Sequence, residues 1–530
     1  MLNIEIIIGL LLVVAIGAVV AQRLAIPYPI LLVLGGLVLG FIPNLPRVEI
    51  DPELIFLVFL PPLITSAAWY IPWQEFRTVF VSVFLLSTGL VLATTSIVAV
   101  VAHTIISGIP WSAAFVLGAV VSPTDAVAAT AIAKALSVPR RIVILLEGES
   151  LVNDATGLVT YRFAQAAVVT GVFSFWKASA WFVVVALGGV IVGLAVGWLV
   201  TWIHRRLDES TIEVTFTILM SYASYLLAEQ LGLSGVLAAM TLGLYHRWQS
   251  PEMLSPRTRI QTIAVWEFIV FILNGLIFVL IGLQLPIILD HLSGESITTL
   301  IWFGTLISAT VLGVRLVWVF PGTYLARLLS RRLRESAPYP SWQQILIVGW
   351  AGMRGGISLA AALTIPLSTN NGTPFPERNL IIFLTFCVIF VTLVLQGLFL
   401  PTLIKWLKVV DDDSGIKREE MEARLQAAKA AMARIEELTN QDTNLASDQM
   451  IEWLRIQYKE RICQYDTYCQ AMNDGSYKQL AAFQSLQHEV LAAERSMVIK
   501  LRNQGIISDD VLHRIERDFD LESALLGSND

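Results

Sequence analysis

The side chains of this sequence with the most capacity for chemistry lie inside apolar stretches. Residues 147–159 read EGESLVNDATGLV and bring Glu147, Glu149, Ser150, Asn153 and Asp154 within about two helical turns. Residues four apart share a helix face, so Glu149 stacks with Asn153, and Ser150 with Asp154, on adjoining faces. Oxygen-bearing side chains gathered on one side of a helix suit a hard monovalent cation, which takes carboxylate, hydroxyl and carbonyl oxygens over sulfur or imidazole. Glu147, nearer the helix end, reads as solvated.

Two further segments carry polar groups at the same kind of depth. In VVSPTDAVAAT, residues 120–130, Pro123 interrupts an apolar helix and is flanked by Ser122, Thr124 and Asp125. A proline removes a backbone donor and frees a carbonyl upstream, and such unwound backbone is tolerated in a membrane where protein or water covers it. In GWAGMRGGISLAAAL, residues 349–363, Arg354 stands among glycines, and Gly355 and Gly356 let a second chain segment come close. Arg354 keeps its proton and so requires an anion, for which Glu149 is the expected partner.

Each cluster also has a plainer explanation, because polar residues inside a helical bundle can simply satisfy one another and hold helices together. For Glu149 with Arg354 that holding role is the favoured one. Asp154, beside Ser150 and Asn153 and with no evident basic mate, fits a binding carboxylate better. Asp125 fits both, since it can equally accept donors at a helix N-terminus. Glu213, Glu229, Glu267, Asn274, Arg162 and Arg315 are further polar residues in apolar runs and read as structural or funnel residues.

The elements that must position these groups are membrane helices. Hydrophobic residues make up 55% of the 530-residue chain, against about 45–50% in ordinary soluble domains. Charges are sparse before about residue 407 and dense after it, which divides the chain into a membrane part, 1–407, and a soluble tail, 408–530. A crossing helix needs about 20 mostly apolar residues. Stretches that qualify lie at 3–22, 28–43, 53–70, 79–105, 111–134, 142–169, 177–203, 210–230, 233–246, 263–285, 297–325, 342–366 and 379–406, about thirteen crossings in all. The stretch 233–246 is short, but basic residues on its two sides agree only if it crosses. The N-terminal run lacks a basic lead segment and reads as a retained helix, not a signal peptide.

Basic residues set the orientation. Arg23, Arg77, Arg140 with Arg141, Arg205 with Arg206, the group Arg247, Arg257 and Arg259, and the group Arg327, Arg331, Arg332 and Arg334 fall in alternate loops. The loops between hold little beyond Arg47, Lys177 and Arg378, so the positive-inside bias puts the N-terminus outside and the tail in the cytoplasm. The tail has apolar residues at helical spacing, Met421, Leu425, Ala428 and Met432, with breaks near 440–447 and 474–476, and should be a small helical domain, either a plain bundle or a regulatory one. The net charge of −6 is concentrated there and gives no reason to expect nucleic acid. Cys387, Cys463 and Cys469 fit neither a disulfide framework nor a zinc site, so reduced thiols and no cofactor are expected.

Together the segments PTDAVA at 123–128, EGESLVNDATGLV at 147–159 and GMRGGISLA at 352–360 resemble the sodium/proton exchanger branch of the monovalent cation:proton antiporters. PPLITSAAW at 61–69, LAEQLGLSGVLA at 227–238 and FVLIGLQL at 278–285 extend the likeness across the membrane part, and the end of the tail looks like that of bacterial members. The resemblance implies an all-α polytopic fold of thirteen helices in two inverted repeats, with a mobile core working against a domain that forms a homodimer. It implies that the fifth and twelfth helices unwind and cross, at Pro123 and at Gly355–Gly356. By the same motifs Asp154 resembles the ion- and proton-binding carboxylate, Ser150, Thr124 and Asp125 its neighbours, and Glu149 with Arg354 a structural ion pair. The Asn153–Asp154 pair resembles the electroneutral type. One position departs: where many members carry an acid just after the double proline of the third helix, this chain has Ser66.

Competition at one carboxylate is the mechanism these residues lead one to expect. Burial disfavours the charged Asp154, either a proton or a cation such as Na⁺ or Li⁺ neutralises it, and only a neutralised core crosses the barrier. Potassium/proton exchange is the near alternative. An intramembrane hydrolase using Asp125 and Asp154, or a membrane sensor, is the alternative from another class. The hydrolase is disfavoured because His103, His204, His246, His291, His488 and His513 fall in loops, span ends or the tail, with no zinc or serine–histidine arrangement. A bacterial plasma-membrane transporter without enzymatic activity is the reading that remains.

Overall fold

A computed structural model describes residues 4–43, 53–171, 175–292, 296–329, 339–409, 414–441, 448–473, 477–506 and 508–526, save 25, 54, 208, 371 and 505. Every apolar stretch of crossing length contains helix. The membrane part runs α1 (Ile4–Leu24), α2 (Tyr28–Gly40), α3 (Ile55–Tyr70), α4 (Trp73–Ile105), α5 (Trp111–Val121), α6 (Val127–Ala135), α7 (Arg140–Thr170) and α8 (Phe175–His204). It continues through α9 (Ser210–Gln230), α10 (Gly235–Met253), α11 (Pro256–Asp290), α12 (Ile297–Leu329), α13 (Trp342–Trp350), α14 (Gly356–Leu363) and α15 (Arg378–Leu407). Among the described residues, 7 helices are long and apolar enough to cross a membrane. The chain is therefore an all-helical membrane protein. Arg47, Arg331, Arg332 and Arg334, four of the arginines that bear on orientation, lie outside the described residues.

Helix α1 shows how these segments meet lipid on one side and protein on the other. Ile4, Ile8, Leu12 and Ile16 form an exposed stripe, while Leu10, Val14, Gly17 and Ala21 are buried. Both stripes follow the helical period. Small residues bring the buried faces together: the Cα of Gly36 in α2 rests on the Val279 carbonyl of α11, and that of Gly282 in α11 on the Val33 carbonyl of α2. Apolar side chains gain no hydrophobic energy by leaving lipid, so such close van der Waals approach is what holds membrane helices together.

The short stretch 233–246 belongs to a longer helix. α10 continues to Met253, 19 residues in all, because Arg247, Trp248 and Gln249 extend the helix beyond the apolar run. His246, expected at a span end, is consequently buried, with its ring 5.7 Å from Trp69 and 6.0 Å from His204.

Three helices contain a π-helical stretch, and each has a visible cause or use. Ile55–Phe59 precedes Pro61 and Pro62, which cannot donate to the turn before them. In α4, at Leu85–Leu90, Trp318 of α12 donates its indole N–H to the Leu85 carbonyl at 3.4 Å. In α15, Val391–Gln396 carries Thr392 and Gln396 to the crossing of the two broken helices.

Contacts divide the chain into two compact units, Met1–Asp411 and Asp412–Asp530. The second comprises α16 (Ser414–Gln441), α17 (Asp448–Asn473), α18 (Tyr477–Asn503) and α19 (Asp509–Leu526). Leu425 and Ala428 of the predicted stripe are buried, and Met421 and Met432 half-buried. The outer faces carry ion pairs within a turn, such as Arg424 to Glu420 at 2.6 Å. That pairing also raises the Arg424 guanidinium further above its ordinary range.

Candidate ion-binding site

Two helices break at the centre of the membrane unit, and the breaks touch. After α5 ends at Val121, residues 122–126 are not helical, and α6 begins at Val127. After α13 ends at Trp350, residues 351–355 are not helical, and α14 begins at Gly356. The Asp125 backbone N–H donates to the Met353 carbonyl at 2.7 Å, so one break is bonded directly to the other. Pro123 and Gly355, both predicted to unwind, are thus brought together, while Gly356, predicted to unwind with them, is the first residue of α14. Pro123 packs against Gly157 of α7, and the Cα of Gly355 lies against the Asp125 carboxylate, leaving no room for a side chain.

Breaking two helices in a membrane creates four ends whose carbonyls and N–H groups need partners. At the α5 end, Ser122 Oγ donates to Ala119 O at 3.0 Å and Arg354 Nε to Val121 O at 3.2 Å. At the α13 end, Arg315 donates from Nε to Gly349 O and from Nη2 to Val348 O, both at 3.1 Å, and the Gln396 amide donates to Trp350 O. At the start of α6, Asp125 Oδ1 accepts the Val127 N–H at 2.9 Å. The guanidinium cations therefore sit at helix C-termini and the carboxylate at an N-terminus, the arrangement that opposes the helix dipoles.

The expected pairing of Glu149 with Arg354 is replaced. Glu149 is held by Arg315, with Nη1 to Oε1 at 2.5 Å and Nη2 to Oε2 at 2.9 Å, and the two side chains are 1% and 0% exposed. Arg354 instead donates to the backbone carbonyls of Val121 and Gly352, and its own N–H donates to Thr392 Oγ1 at 3.1 Å. Its Nη2 is buried without a hydrogen-bond partner among the described residues. The reason is geometric: Arg315 reaches Glu149 with both arms of its fork, stacked over Gly352, where the missing side chain makes room for it. Arg315, read from sequence as a structural or funnel residue, is fully buried midway along α12. A lone arginine deep in an apolar run carried the signal, and the cost of burying it demanded an acid.

From α7, three of the predicted residues reach the first break. Thr124 Oγ1 donates to Glu149 Oε1 at 3.2 Å and accepts from Asn153 Nδ2 at 2.6 Å. Ser150 Oγ accepts the Ala126 N–H at 3.2 Å. Asp154, one turn beyond Ser150, is buried, lies within Coulombic range of Asp125, and makes no hydrogen bond or ion pair with any described residue. Glu147 binds Lys134 at 2.8 Å near the surface, and Arg162 binds Glu229 at the same distance. Ser66 is buried in α3, but its hydroxyl turns back to the Leu63 carbonyl at 3.0 Å.

A carboxylate left without a cation or donor, at the crossing of two broken helices, is an arrangement for binding something positive. Residues 8–406 match the family described as sodium/hydrogen exchanger, transmembrane. This chain belongs to the sodium/hydrogen exchanger family. It is 35% identical over 527 residues to an uncharacterized Na⁺/H⁺ exchanger of Mycobacterium tuberculosis, covering 98% of this chain and 96% of that one. It is 34% identical to a sodium, potassium, lithium and rubidium/H⁺ antiporter of Bacillus pumilus, covering 82% of this chain and 66% of that one. In fold it is similar to the sodium proton antiporter MjNhaP1 of Methanocaldococcus jannaschii, with a TM-score of 0.61 at 22% identity, over 77% of this chain and 99% of that one. Within this exchanger, the described site joins α5, α6, α7, α12, α13, α14 and α15.

Proposed function

We propose that the chain exchanges a monovalent cation, Na⁺ or a similar ion, for H⁺ across the plasma membrane by alternating access, moving no net charge per cycle. The observation that carries this reading is the Asp154 carboxylate, buried, with no partner among the described residues, one helical turn beyond Ser150 on α7 and within Coulombic range of Asp125 at the α5–α6 break. Asp154, Ser150 and Thr124 would ligate the transported ion, Asn153 would hold Thr124 in place, and Asp125 would fix the α6 end while adding negative potential. Glu149 and Arg315 cancel one another, so a single positive charge on Asp154, proton or cation, brings that carboxylate to neutrality. A charged core is costly to carry past lipid, so only the loaded forms cross, which couples the two fluxes.

In the same reading the chain crosses the membrane thirteen times as two inverted repeats, each broken helix counting once, with the N-terminus outside, the tail inside, and two copies forming a dimer. Residues 1–407 perform transport and 408–530 form a cytoplasmic helical domain, a plain bundle or a regulatory one. The alternation of basic clusters supports the orientation.

Proteoliposomes test the reading. A cation gradient imposed on the wild type should move protons, and Asp154→Asn should abolish that flux with folded yield unchanged. Normal flux in Asp154→Asn would remove Asp154 from the mechanism. Potassium is a second candidate cation, favoured by the name of the Bacillus pumilus relative, so Li⁺, Na⁺ and K⁺ belong in one panel. A hydrolase built on Asp125 and Asp154 is disfavoured, because Asp125 is occupied at the α6 N-terminus. A sensor would fold normally and move no protons under any gradient.

A further inference from the structure

The two helix breaks are covered on one side by α2 and α11. Ile277 of α11 packs onto Gly356, the first residue of α14, and Ile30 of α2 packs onto Gly397 of α15, beside Met353 of the second break. Tyr28, the first residue of α2, stands at the edge of this cover. Its ring centroid lies 5.7 Å from that of Phe271 of α11, its hydroxyl is hydrogen-bonded to the side chain of Asn274, and it is within Coulombic range of Asp125. Tyr28 is half-buried and Asn274 buried. Pro27 and Pro29 on either side of Tyr28 fix the backbone that carries it.

Towards its start, the same face of α11 meets water. Glu267 lies two turns before Asn274, about 16 Å into the helix at 1.5 Å per residue. It is exposed and makes no hydrogen bond or ion pair with any described residue. A carboxylate turned to hydrocarbon is costly, and one that faces a water-filled cleft is not. Tyr70 of α3, 39% exposed, lies within Coulombic range of Glu267 and of Arg247 of α10, which forms no ion pair with Glu267. The cleft thus opens among α3, α10 and α11 and leads along α11 from Glu267 to Tyr28.

We propose that Tyr28 sets which cation the exchanger takes: the cation passes Glu267 along this face of α11, and the Tyr28 hydroxyl, held by Asn274, replaces part of its water before it reaches Asp154. The inference rests on the exchange reading given above. A phenol oxygen is a hard donor, and because Coulomb energy falls with distance it favours a small cation, Li⁺ or Na⁺, over the larger K⁺. The oxygen is also neutral, so it adds to binding without altering the charge balance that couples the two fluxes. Asn274 is a positioning residue, acting on the cation by fixing where the hydroxyl points, and the contact with Phe271 holds the ring so that only its polar end can swing.

The test is proton flux in proteoliposomes of the full-length protein against rising Li⁺, Na⁺ or K⁺ at one pH. Tyr28→Phe keeps the ring and removes the oxygen. It should raise the Na⁺ and Li⁺ KM about fivefold, the effect of losing one neutral contact, and the K⁺ KM less, with maximal rate and folded yield little changed. The pH dependence of KM should keep its midpoint, because no charge is removed. Asn274→Leu should shift the same KM values and add nothing in the Tyr28→Phe background, since it acts through that hydroxyl. Glu267→Gln should raise the KM of all three cations alike, an effect that a salt of a bulky organic cation screens away. An unchanged Na⁺-to-K⁺ preference in Tyr28→Phe overturns the proposal, as does a loss of maximal rate at unchanged KM, the mark of a structural tyrosine. Wild-type KM values in Glu267→Gln overturn the route along α11. Exchange by the wild type with Tyr28→Phe indistinguishable from it defeats this inference alone, whereas a wild type that moves no protons defeats the exchange reading and this one with it.

Discussion

Arg315→Met would leave the Glu149 carboxylate, 1% exposed, without the two bonds of 2.5 and 2.9 Å that neutralise it. Removing one partner of a buried pair typically costs about 3–5 kcal/mol, because the remaining charge is stranded. The Val348 and Gly349 carbonyls lose their donors as well, at about 1 kcal/mol or more each if nothing replaces them. The expected loss for Arg315→Met is thus at least ~4 kcal/mol. Glu149→Met with Arg315→Met strands no charge and should recover much of it, giving a coupling energy of about 3 kcal/mol in a double-mutant cycle. The cycle of Glu149→Met with Arg354→Met should give less than about 1 kcal/mol, since the hydrogen bonds of the Arg354 side chain go to backbone carbonyls. Denaturant unfolding in detergent micelles measures all five variants. A Glu149–Arg354 coupling equal to or larger than that of Glu149–Arg315 would refute the pairing and the capping roles derived from it.

Proton and cation competing for Asp154 have a signed consequence: below the carboxyl's midpoint the cation KM should rise about tenfold per pH unit, and above it level off, with maximal rate changing less. Rates measured in vesicles from pH 5 to 9 check this, and a pH-independent KM would exclude a shared site. Gly355→Val places a side chain onto the Asp125 carboxylate and should abolish transport and lower folded yield, whereas Gly313→Val, on the exposed face of α12 with open space around it, should retain transport. Arg162→Ala removes a partly exposed pair and should cost no more than about 1 kcal/mol, with flux near wild type. Because Met1–Asp411 is a compact unit by itself, a chain ending there should still exchange ions in proteoliposomes, and complete loss of flux would give the tail an essential role.

Much of the fold was legible because lipid imposes a simple rule on the chain. Apolar runs of crossing length marked the helices, and Pro123 with Gly355 and Gly356 marked the breaks, since both residue types interrupt helices for reasons internal to the backbone. The end of α10 was less legible. Its last turns carry Arg247, Gln249 and Ser250, which composition assigns to a loop although they continue the helix past the apolar run. The neighbours of Asp154 were legible too, because Ser150, Asn153 and Asp154 sit on one short stretch of one helix, where spacing fixes who is beside whom.

The partner of Glu149 could not be read in the same way. Two buried arginines compete for it, and Arg315 lies 166 residues along the chain. Which one arrives depends on how α7, α12 and the α13–α14 break are rotated and set in depth against one another, quantities that periodicity within one helix does not contain. The sequence by itself determined that an uncompensated acid, a proline break and a glycine break would lie at membrane depth, because burial cost and backbone chemistry are properties of residues. Only the packed structure decided that the two breaks bond through Asp125 and Met353, that Arg315 and Arg354 divide the helix ends between them, and that Asp154 is the carboxylate left over. Those outcomes follow from distances between helices far apart in sequence, and distance is what sets electrostatic energy in a low-dielectric interior.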